Sequence, residues 1–397
     1  MKKLLKQTIH YFVVLSFMLV SLKAKAEEIP FEKGTLADAY KQARVMKKML
    51  FVDAYTTWCG PCKWMAKNVF TNDDVIKFYS ENFVCVKLDM EKGEGKQFAE
   101  KYDVHSYPTF IFLDLEGQKI HQFCGKMEAA DFVLNGKVAI NPEKNLIGFQ
   151  NKYNKGIRDF NFMREYLNLL YNANMDAKDL VTEMLNSPTA NQLVNASDFE
   201  MLSNFSELGN RAYSFILENQ DSYNSILPPN KYFEYISQIF TDEARKAASK
   251  NEPELLANAK NELEKISLEK SKEIKYHMDW VYAQVAKKDI IERAKGYINN
   301  FKLDDSQELN NAAWFVFENC GKPEEIKVAE NWAALSVSIK KEYSNTDTYA
   351  NILFKAGKLL DAQKVATESI EIAKSEGLDA SDTNVLLKKI EAAIAKK

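Results

Sequence analysis

The sequence predicts an α/β domain near the N-terminus, followed by an all-α domain with the features of a helical repeat. Strand-like and helix-like segments alternate between residues 27 and 140, which is typical of an α/β sheet. From residue 141 to residue 397 only seven of the 14 glycines occur over 257 positions, and helical spacing replaces strand-like alternation. Small residues also recur near the C-terminus at an offset of 37.

The first 26 residues have the pattern of a secretory signal peptide. A basic start is followed by an apolar run from Phe12 to Leu22, and the segment ends in Ala24-Lys25-Ala26. Eleven apolar residues are too few for a spanning helix, which needs about 20. We therefore expect an exported mature chain, with a retained membrane anchor as the alternative.

Composition excludes some classes of function. The formal charge is −3 for the whole chain and becomes −8 for the 371 residues after the signal peptide, because that segment holds five lysines and no acidic residue. Nucleic acids and anionic membranes bind basic surfaces, so neither is an expected partner. The five cysteines are an odd number, and four of them precede residue 125, so disulfide stapling is not their main role.

The α/β domain is predicted from a series of short segments. Thr71 is the expected N-cap of the third helix, and the segment from Met90 to Lys96 is expected to be a solvated turn. The expected helices and strands, in chain order, are helix 36–47, strand 49–55, helix 62–70, helix 73–80, strand 82–90, and a hairpin over 109–125 that turns at Glu116-Gly117.

The second domain, residues 141–397, is predicted to be entirely helical. Amphipathic helices are expected over 158–172, 254–266 and 279–298, with breaks at the proline-containing pairs Ser187-Pro188, Pro228-Pro229 and Glu252-Pro253. The repeat aligns Ala313 with Ala350, Phe317 with Phe354, Ala329 with Ala366 and Ser336 with Ala373. Small residues at fixed places on paired helices favour close packing, as in helical solenoids.

Cys59 and Cys62 form a C-x-x-C pair, which is compatible with half a zinc site, a structural bridge or a redox dithiol. Zinc needs four ligands, and a second C-x-x-C or H-x-x-x-H is missing from the sequence. The remaining cysteine and histidine side chains in this domain are isolated ones at Cys85, Cys124, His105 and His121. We therefore expect no metal, and we expect His105 and His121 to have no catalytic role.

The spacing has a physical logic for a redox pair. Cys59 follows a strand and starts a helix, where free N–H groups and the macrodipole favour a thiolate, so it is the expected nucleophile. Cys62 lies one turn later and can resolve the mixed disulfide that Cys59 forms. Pro61 fits the first helical turn, and Gly60 leaves the nucleophile open on one side.

Residues 31–137 resemble the thioredoxin family. The run from Phe51 to Lys63 contains the family's W-C-G-P-C motif intact. The resemblance implies a thioredoxin fold in which Asp53 matches the family's buried carboxylate and Lys87 matches the lysine near it. It also implies a cis bond in Tyr107-Pro108 and a glycine of the last strand at Gly125.

These matches imply roles that are also physically reasonable. A desolvated Asp53 would have a raised pKa and could take the proton from Cys62; the alternative is a solvated carboxylate at the strand end. Lys87 would tune that carboxylate, or it is a plain surface lysine. Trp58, with Gly60 and Pro61, is expected to form the substrate-binding side of the dithiol.

The element Tyr107-Pro108 is expected to complete that substrate-binding side. A cis bond would turn the backbone of Tyr107 outward, so that an extended substrate peptide could pair with it. Trp58 and Tyr107 would then form an apolar collar around Cys59, although either could equally fill the core. Two residues depart from the family: Tyr107 replaces a small aliphatic residue, and Tyr55 replaces a tryptophan.

The C-terminal stretch from Tyr349 to Ala373 resembles a tetratricopeptide repeat. Its small residues are Ala350, Gly357, Ala362 and Ser369. The resemblance covers about residues 308–376, with one clear unit and one degenerate unit. Such arrays form concave surfaces, so the helical domain is expected to bind a protein partner or to self-associate.

These observations lead to a functional hypothesis: an exported thiol–disulfide oxidoreductase that reduces protein disulfides without a metal or organic cofactor. Residues 53–65 resemble exported thioredoxin-like domains of bacterial interchange proteins, which implies a Gram-negative periplasm and a membrane electron donor of that type. The alternatives are a disulfide oxidase or isomerase, and a client-binding helical module with a secondary redox head. Cys85 and Cys124 are expected to be reduced and buried rather than a second disulfide, and Cys320 to face a helix–helix contact.

Overall fold

The computed structural model describes residues 28–266 and 268–396. The predicted signal peptide, residues 1–26, lies outside the described residues. Within the described ranges no helix is both long enough and apolar enough to cross a bilayer. The chain divides into two compact units, with the division between Phe205 and Ser206.

The N-terminal unit begins with four strands and five helices. They are α1 (Leu36–Met46), β1 (Met49–Tyr55), α2 (Gly60–Asn68), α3 (Asp73–Asn82), β2 (Phe83–Asp89), α4 (Glu94–Tyr102), β3 (Thr109–Leu113), β4 (Lys119–Cys124) and α5 (Ala129–Ala139). The unit continues with α6 (Leu146–Asn154), α7 (Phe160–Asn172), α8 (Lys178–Leu185), a 3₁₀ turn at Ala190–Leu193, and α9 (Ala196–Asn204).

The four strands form one sheet in the order β2-β1-β3-β4. Strands β1 and β2 are parallel, whereas β3 is antiparallel to both β1 and β4. The parallel register places Asp53 of β1 opposite Lys87 of β2. This mixed sheet with helices in its connections is a thioredoxin-like α/β fold, which confirms the predicted class.

Alternation along β1 builds the two faces of the sheet. Leu50, Val52 and Ala54 point into a core closed by α1 and α4. Phe51 points the other way, into an aromatic core closed by α2, α3 and α5. There Tyr79 stacks on Phe132 with ring centroids 4.6 Å apart. Each fully buried aromatic ring of this kind stabilises the fold by about 1.5–3 kcal/mol.

Two local predictions in this domain were wrong. Asn72, not Thr71, caps α3: its side-chain oxygen accepts from the backbone N–H groups of Asp74 and Val75, whereas the Thr71 hydroxyl donates to the carbonyl of Lys67.

The second error concerns the predicted solvated turn over residues 90–96, which already contains the first turn of α4. Gly95 makes this possible, because a Cβ there would lie 2.0 Å from the carbonyl oxygen of Asp89. Acidic and glycine residues dominate the start of this short helix, so its local composition predicts a turn.

The helices after residue 140 do not all belong to the C-terminal unit. The sequence pattern changes at Ile140, but α6 to α9 are part of the N-terminal unit, where α6 and α7 pack against β4. The change of sequence pattern and the boundary between the compact units therefore lie at different positions. Residues 141–205 extend the α/β domain with helices.

The C-terminal unit, residues 206–397, consists of helices throughout its described part. They are α10 (Arg211–Glu218), α11 (Gln220–Ile226), α12 (Lys231–Lys250), α13 (Pro253–Glu264), α14 (Ser271–Ala286), α15 (Ile290–Phe301), α16 (Ser306–Asn319), α17 (Pro323–Ile339), α18 (Tyr343–Lys355), α19 (Leu359–Glu376) and α20 (Ser381–Ile394).

The prediction of one helix over residues 279–298 was wrong. The chain ends α14 at Ala286 and starts α15 at Ile290, and Lys287 and Asp289 adopt left-handed backbone conformations with φ of 54° and 52°. Apolar residues keep helical spacing through the turn because both helices face one core, which contains Ala283 and Ala294. Periodicity alone therefore missed the break.

The repeat offset of 37 corresponds to two successive helical hairpins. Helix α16 starts at Ser306 and α18 starts at Tyr343, and α17 and α19 follow them in the same order. Ala329 and Ala366 occupy matching places in the second helices and are fully buried. The small residues thus lie at helix contacts, as predicted, while the assignment to tetratricopeptide repeats stays a prediction.

We expect Ala366→Leu to destabilise the C-terminal unit by about 1–3 kcal/mol, because three added carbon atoms would have to enter a packed helix contact. The control is Thr367→Leu, at an exposed position one residue further along the same helix, with an expected effect within about 0.5 kcal/mol. Urea denaturation followed by circular dichroism measures both. Equal stability of the two variants would contradict the packing role of the repeated alanines.

Candidate active site

Cys59 and Cys62 form a disulfide at the start of α2, with Cα atoms 5.3 Å apart. Cys59 is the N-cap residue of the helix, and its sulfur accepts a hydrogen bond of 3.0 Å from the backbone N–H of Cys62. The two side chains are almost buried, at 3% and 6% exposure. The helix therefore directs a free N–H group at the sulfur predicted to be the nucleophile.

Gly60 and Pro61 are the first two residues of α2, so the helix begins two residues earlier than predicted. Both are exposed, so they form a solvent-facing rim beside the nearly buried dithiol. Pro61 lacks an N–H, but the first turn of a helix has no intrahelical acceptor for that group, so the residue fits here. The local sequence thus places a nearly buried dithiol beside an open rim.

Asp53 is buried in β1, at 2% exposure. Alternation places it on the same face as Phe51, which is the face covered by α2, the helix that carries Cys62. Burial raises the pKa of Asp53 from 3.8 to about 6, and the ammonium of Lys87 opposes part of that rise. The alternative of a solvated strand-end carboxylate is therefore wrong.

Lys87 lies beside this carboxylate, with Nζ 3.6 Å from Oδ2 of Asp53. Its ammonium group also lies over three aromatic rings, at 4.9 Å from the centroid of Tyr55, 5.5 Å from Phe70 and 5.7 Å from Phe31. The side chain is 30% exposed, so it connects the buried carboxylate with solvent. Lys87 is therefore held beside Asp53 by cation–π contacts as well as by charge.

Trp58 and Tyr107 form an aromatic pair next to the dithiol. Trp58 is 65% exposed, and its ring meets that of Tyr107 edge to face, with centroids 6.0 Å apart. Its indole N–H donates to Oε1 of Glu91 at 2.9 Å. The exposed position of Trp58 excludes a core-filling role. Glu91 was not among the residues predicted for the site. Parallel pairing of β1 and β2 brings the loops after both strands to the same end of the sheet, which is the signal that could have found it.

The peptide bond between Tyr107 and Pro108 is cis, as the resemblance implied. Pro108 is buried, and its carbonyl oxygen accepts from the backbone N–H of Gly125 at 2.9 Å. Gly125 has φ of +91°, a conformation that favours glycine. The structure thus brings the predicted loop beside Trp58 and supports it from β4.

The other thiols and imidazoles are placed differently. Cys85, Cys124 and Cys320 are free, and Cys85 is buried, which raises the pKa of its thiol well above the usual range. Cys124 is reduced, as expected, but it is only partly buried, so the prediction of a buried thiol there was wrong. Cys320 is also partly buried. His105 is exposed and contacts Asp103.

His121 lies beside the rings of Phe112 and Phe123, and burial lowers its pKa to about 4. It belongs to β4 and to the aromatic face of the sheet, away from the strand end that carries the dithiol. Within residues 28–266 and 268–396, no group of three or more His, Cys, Asp or Glu side chains is arranged to hold a metal ion.

A mixed four-stranded sheet, a C-x-x-C disulfide at a helix start and a cis proline beside it define the thioredoxin-like class of proteins. The thioredoxin-like family model matches residues 31–114. Thioredoxin-1 of Drosophila melanogaster is 36% identical over 95 residues, which cover 24% of this chain and 83% of that thioredoxin. The chain therefore belongs to the thioredoxin family through its N-terminal α/β domain.

Two further comparisons concern bacterial proteins. The thiol:disulfide interchange protein DsbD of Colwellia psychrerythraea is 32% identical over 102 residues, covering 24% of this chain and 17% of that protein. A solution structure from Bacteroides thetaiotaomicron, described as a proposed disulphide-isomerase, is 40% identical, with a TM-score of 0.28. It covers 29% of this chain and 96% of its own. These relatives thus match only a quarter to a third of the chain.

We expect Asp53→Asn to raise the free energy of unfolding by roughly 1–3 kcal/mol at pH 7.5. Between pH 3.8 and about 6 the folded chain holds the proton of Asp53 more tightly than the unfolded chain does. The stability that this carboxyl contributes in acid is therefore lost as the pH rises through 6. The asparagine variant avoids this loss, so its advantage should shrink below pH 6.

Denaturant unfolding of the oxidised protein at pH 4.5, 6 and 7.5 measures this difference. The matched control is Asp131→Asn, which replaces an exposed carboxyl on α5 and should differ little from the parent at all three values. An Asp53→Asn variant whose gain in the free energy of unfolding does not depend on pH would contradict a raised pKa at Asp53.

Proposed function

We propose that the protein is an exported thiol–disulfide oxidoreductase that reduces disulfide bonds in other proteins. The observation that carries this proposal is the Cys59–Cys62 disulfide at the N-terminus of α2, with the exposed Trp58 beside it. Family membership supports the same chemistry, because dithiols of this kind react by thiol–disulfide exchange.

The first step uses the reduced dithiol. The N–H of Cys62 and the positive end of the α2 dipole favour the thiolate of Cys59. This thiolate attacks one sulfur of a substrate disulfide and forms a mixed disulfide, while the other substrate sulfur leaves as a thiolate and takes a proton from water. One sulfur–sulfur bond is exchanged for another: Cys59 is oxidised into the mixed disulfide, and the departing substrate sulfur is reduced to a thiol.

The second step releases the substrate. Cys62 loses its proton and attacks the Cys59 sulfur of the mixed disulfide, which frees the second substrate thiol and forms the Cys59–Cys62 bond. Asp53 lies on the sheet face below α2, and its pKa of about 6 suits a carboxylate that accepts this proton near neutral pH. Two electrons have then passed from the dithiol to the substrate.

The oxidised protein must be reduced again by another dithiol. No metal or organic cofactor takes part in this exchange, so the electron source is a partner protein. In an oxidising compartment this partner would be a membrane-embedded dithiol carrier. The similarity to the interchange protein DsbD supports a partner of that type.

In this proposal, the substrate binds to the exposed surface beside the dithiol. Trp58 and Tyr107 offer an apolar, partly exposed surface, and the cis bond before Pro108 turns the loop towards it. An extended segment of a protein that carries a disulfide could pair with the backbone of Tyr107 while its sulfur meets Cys59. Oxidase or isomerase activity would use the same atoms, with the direction set by the redox partner.

The location rests on the sequence of the first 26 residues and on the bacterial interchange relative. A charged start, a short apolar run and Ala24-Lys25-Ala26 fit cleavage before Glu27. We therefore propose that the mature protein resides in the periplasm of a Gram-negative cell.

We expect the mature protein to accelerate insulin reduction by dithiothreitol, and we expect Cys59→Ser to lower the rate to that of dithiothreitol alone. Cys62→Ser should trap insulin chains as mixed disulfides on Cys59, visible by intact mass and reversed by added reductant. Cys320→Ser is the control, because this thiol lies in the C-terminal unit. Equal rates for the parent and Cys59→Ser would refute the enzymatic proposal and favour a binding role for the helical region.

We expect expression of the full chain in a Gram-negative host to give a periplasmic protein whose N-terminal residue is Glu27. Leu15→Arg should block export, because a charge interrupts the apolar run. Osmotic-shock fractionation and intact mass measure both results. Recovery of the uncleaved parent chain in the membrane fraction would instead support the anchor alternative.

A further inference from the structure

The end of helix α7 lies against β4 beside the loop that carries Pro108. Helix α7 ends at Asn172, and Asn174 adopts a left-handed conformation with φ of 52°. The N–H of Asn174 bonds to the carbonyl of Tyr171, and the N–H of Met175 bonds to that of Leu170, so this corner is a Schellman motif. The motif fixes the direction in which the chain leaves the helix.

Two side chains of β4 hold this corner in place. The side-chain N–H of Gln122 donates to the carbonyl oxygen of Ala173 at 2.7 Å, and the thiol of Cys124 donates to the same oxygen at 3.2 Å. Gln122 is 3% exposed, and its own side-chain oxygen accepts from Lys119. The corner is therefore fixed to the sheet by one buried and one partly buried hydrogen bond.

From this fixed position Asn174 reaches the loop before the cis bond. Its side-chain N–H donates to the hydroxyl oxygen of Ser106 at 3.1 Å. The hydroxyl of Thr109 donates to the carbonyl of Ser106 at 2.7 Å, so Ser106 is held from two sides. The next residue, Tyr107, carries the ring that meets Trp58.

We infer that Asn174 is a positioning residue for protein substrates: through Ser106 it fixes the Tyr107-Pro108 loop on which a substrate segment would pair. The helices after the sheet thus complete the substrate site of the α/β domain. This inference rests on the proposed function and adds a residue to it that lies outside the region matched by the thioredoxin-like family model, residues 31–114.

Variants of Asn174 and Ser106 can test this inference. Asn174→Gly removes the amide but keeps the left-handed backbone free of strain, whereas alanine would add strain of its own. Ser106→Ala removes the acceptor from the other side. Asn174→Asp restores the bond with the roles reversed, because the Ser106 hydroxyl can donate to a carboxylate. Asn172→Ala is the matched control at an exposed residue of the same helix end.

The measurement compares KM for insulin with KM for the small disulfide 5,5′-dithiobis(2-nitrobenzoate), using the full mature chain. Asn174→Gly and Ser106→Ala should each raise KM for insulin about three- to tenfold relative to KM for the small disulfide, as expected for loss of one hydrogen bond. The double variant should be no worse than either single one. Asn174→Asp should return KM to within about twofold of the parent.

Unchanged KM for insulin in both single variants would overturn the inference, and so would an equal change for the two substrates. Additive effects in the double variant would also overturn it, because the two residues would then act separately. Failure of the proposed function is a different result: the parent itself would be no faster than Cys59→Ser. Asn172→Ala should match the parent with both substrates.

Discussion

The chemistry of this protein depends on the way in which α2 begins. A helix start leaves several N–H groups without intrahelical acceptors, and one of them points at the sulfur of Cys59. In the proposed mechanism, the arrangement that caps the helix would also stabilise negative charge on the reduced sulfur, so folding and reactivity would use a single contact. Strand β1 ends at Tyr55 and fixes where this helix can start. The sheet therefore determines the position of the reactive atom.

Near this contact, the aromatic core and Lys87 act in opposite directions on the charge of Asp53. The aromatic core excludes water from Asp53, which disfavours its charge, while Lys87 favours it. Rings on β1 and nearby loops hold the ammonium group in reach of the carboxylate. On the other side of the dithiol, Trp58 and Tyr107 stay partly open to solvent. In the proposed mechanism, proton transfer would use the buried carboxylate on one side of the dithiol, and substrate binding would use the apolar rim on the other.

The strands of the sheet and the position of the dithiol could be predicted from the sequence, because they depend on local patterns of residues. The strands follow from runs such as 49–55, and the pairing of Cys59 with Cys62 at a helix start follows from the C-x-x-C spacing. Glu91 could not be identified from local patterns, because its contact with Trp58 joins two residues that are 33 positions apart in the chain. The break at Lys287 was also hidden, since helical spacing continues through it.

The region from residue 141 to residue 205 shows most clearly that local patterns do not reveal contacts between distant residues. Its composition is that of the helical half, yet the buried amide of Gln122 is bonded to the carbonyl of Ala173. A side-chain contact over 51 positions leaves no trace in local periodicity. Membership of a compact unit is set by such contacts rather than by the type of secondary structure.

The stacked hairpins of the C-terminal unit restrict how the length of this chain can change. Each hairpin buries its alanines against its neighbours, so insertion or loss of a whole 37-residue unit would conserve the contacts on either side. Lengthening by a few residues within a helix would instead rotate the alanine stripe away from its partner. Related chains that differ in length here should therefore differ by complete hairpins.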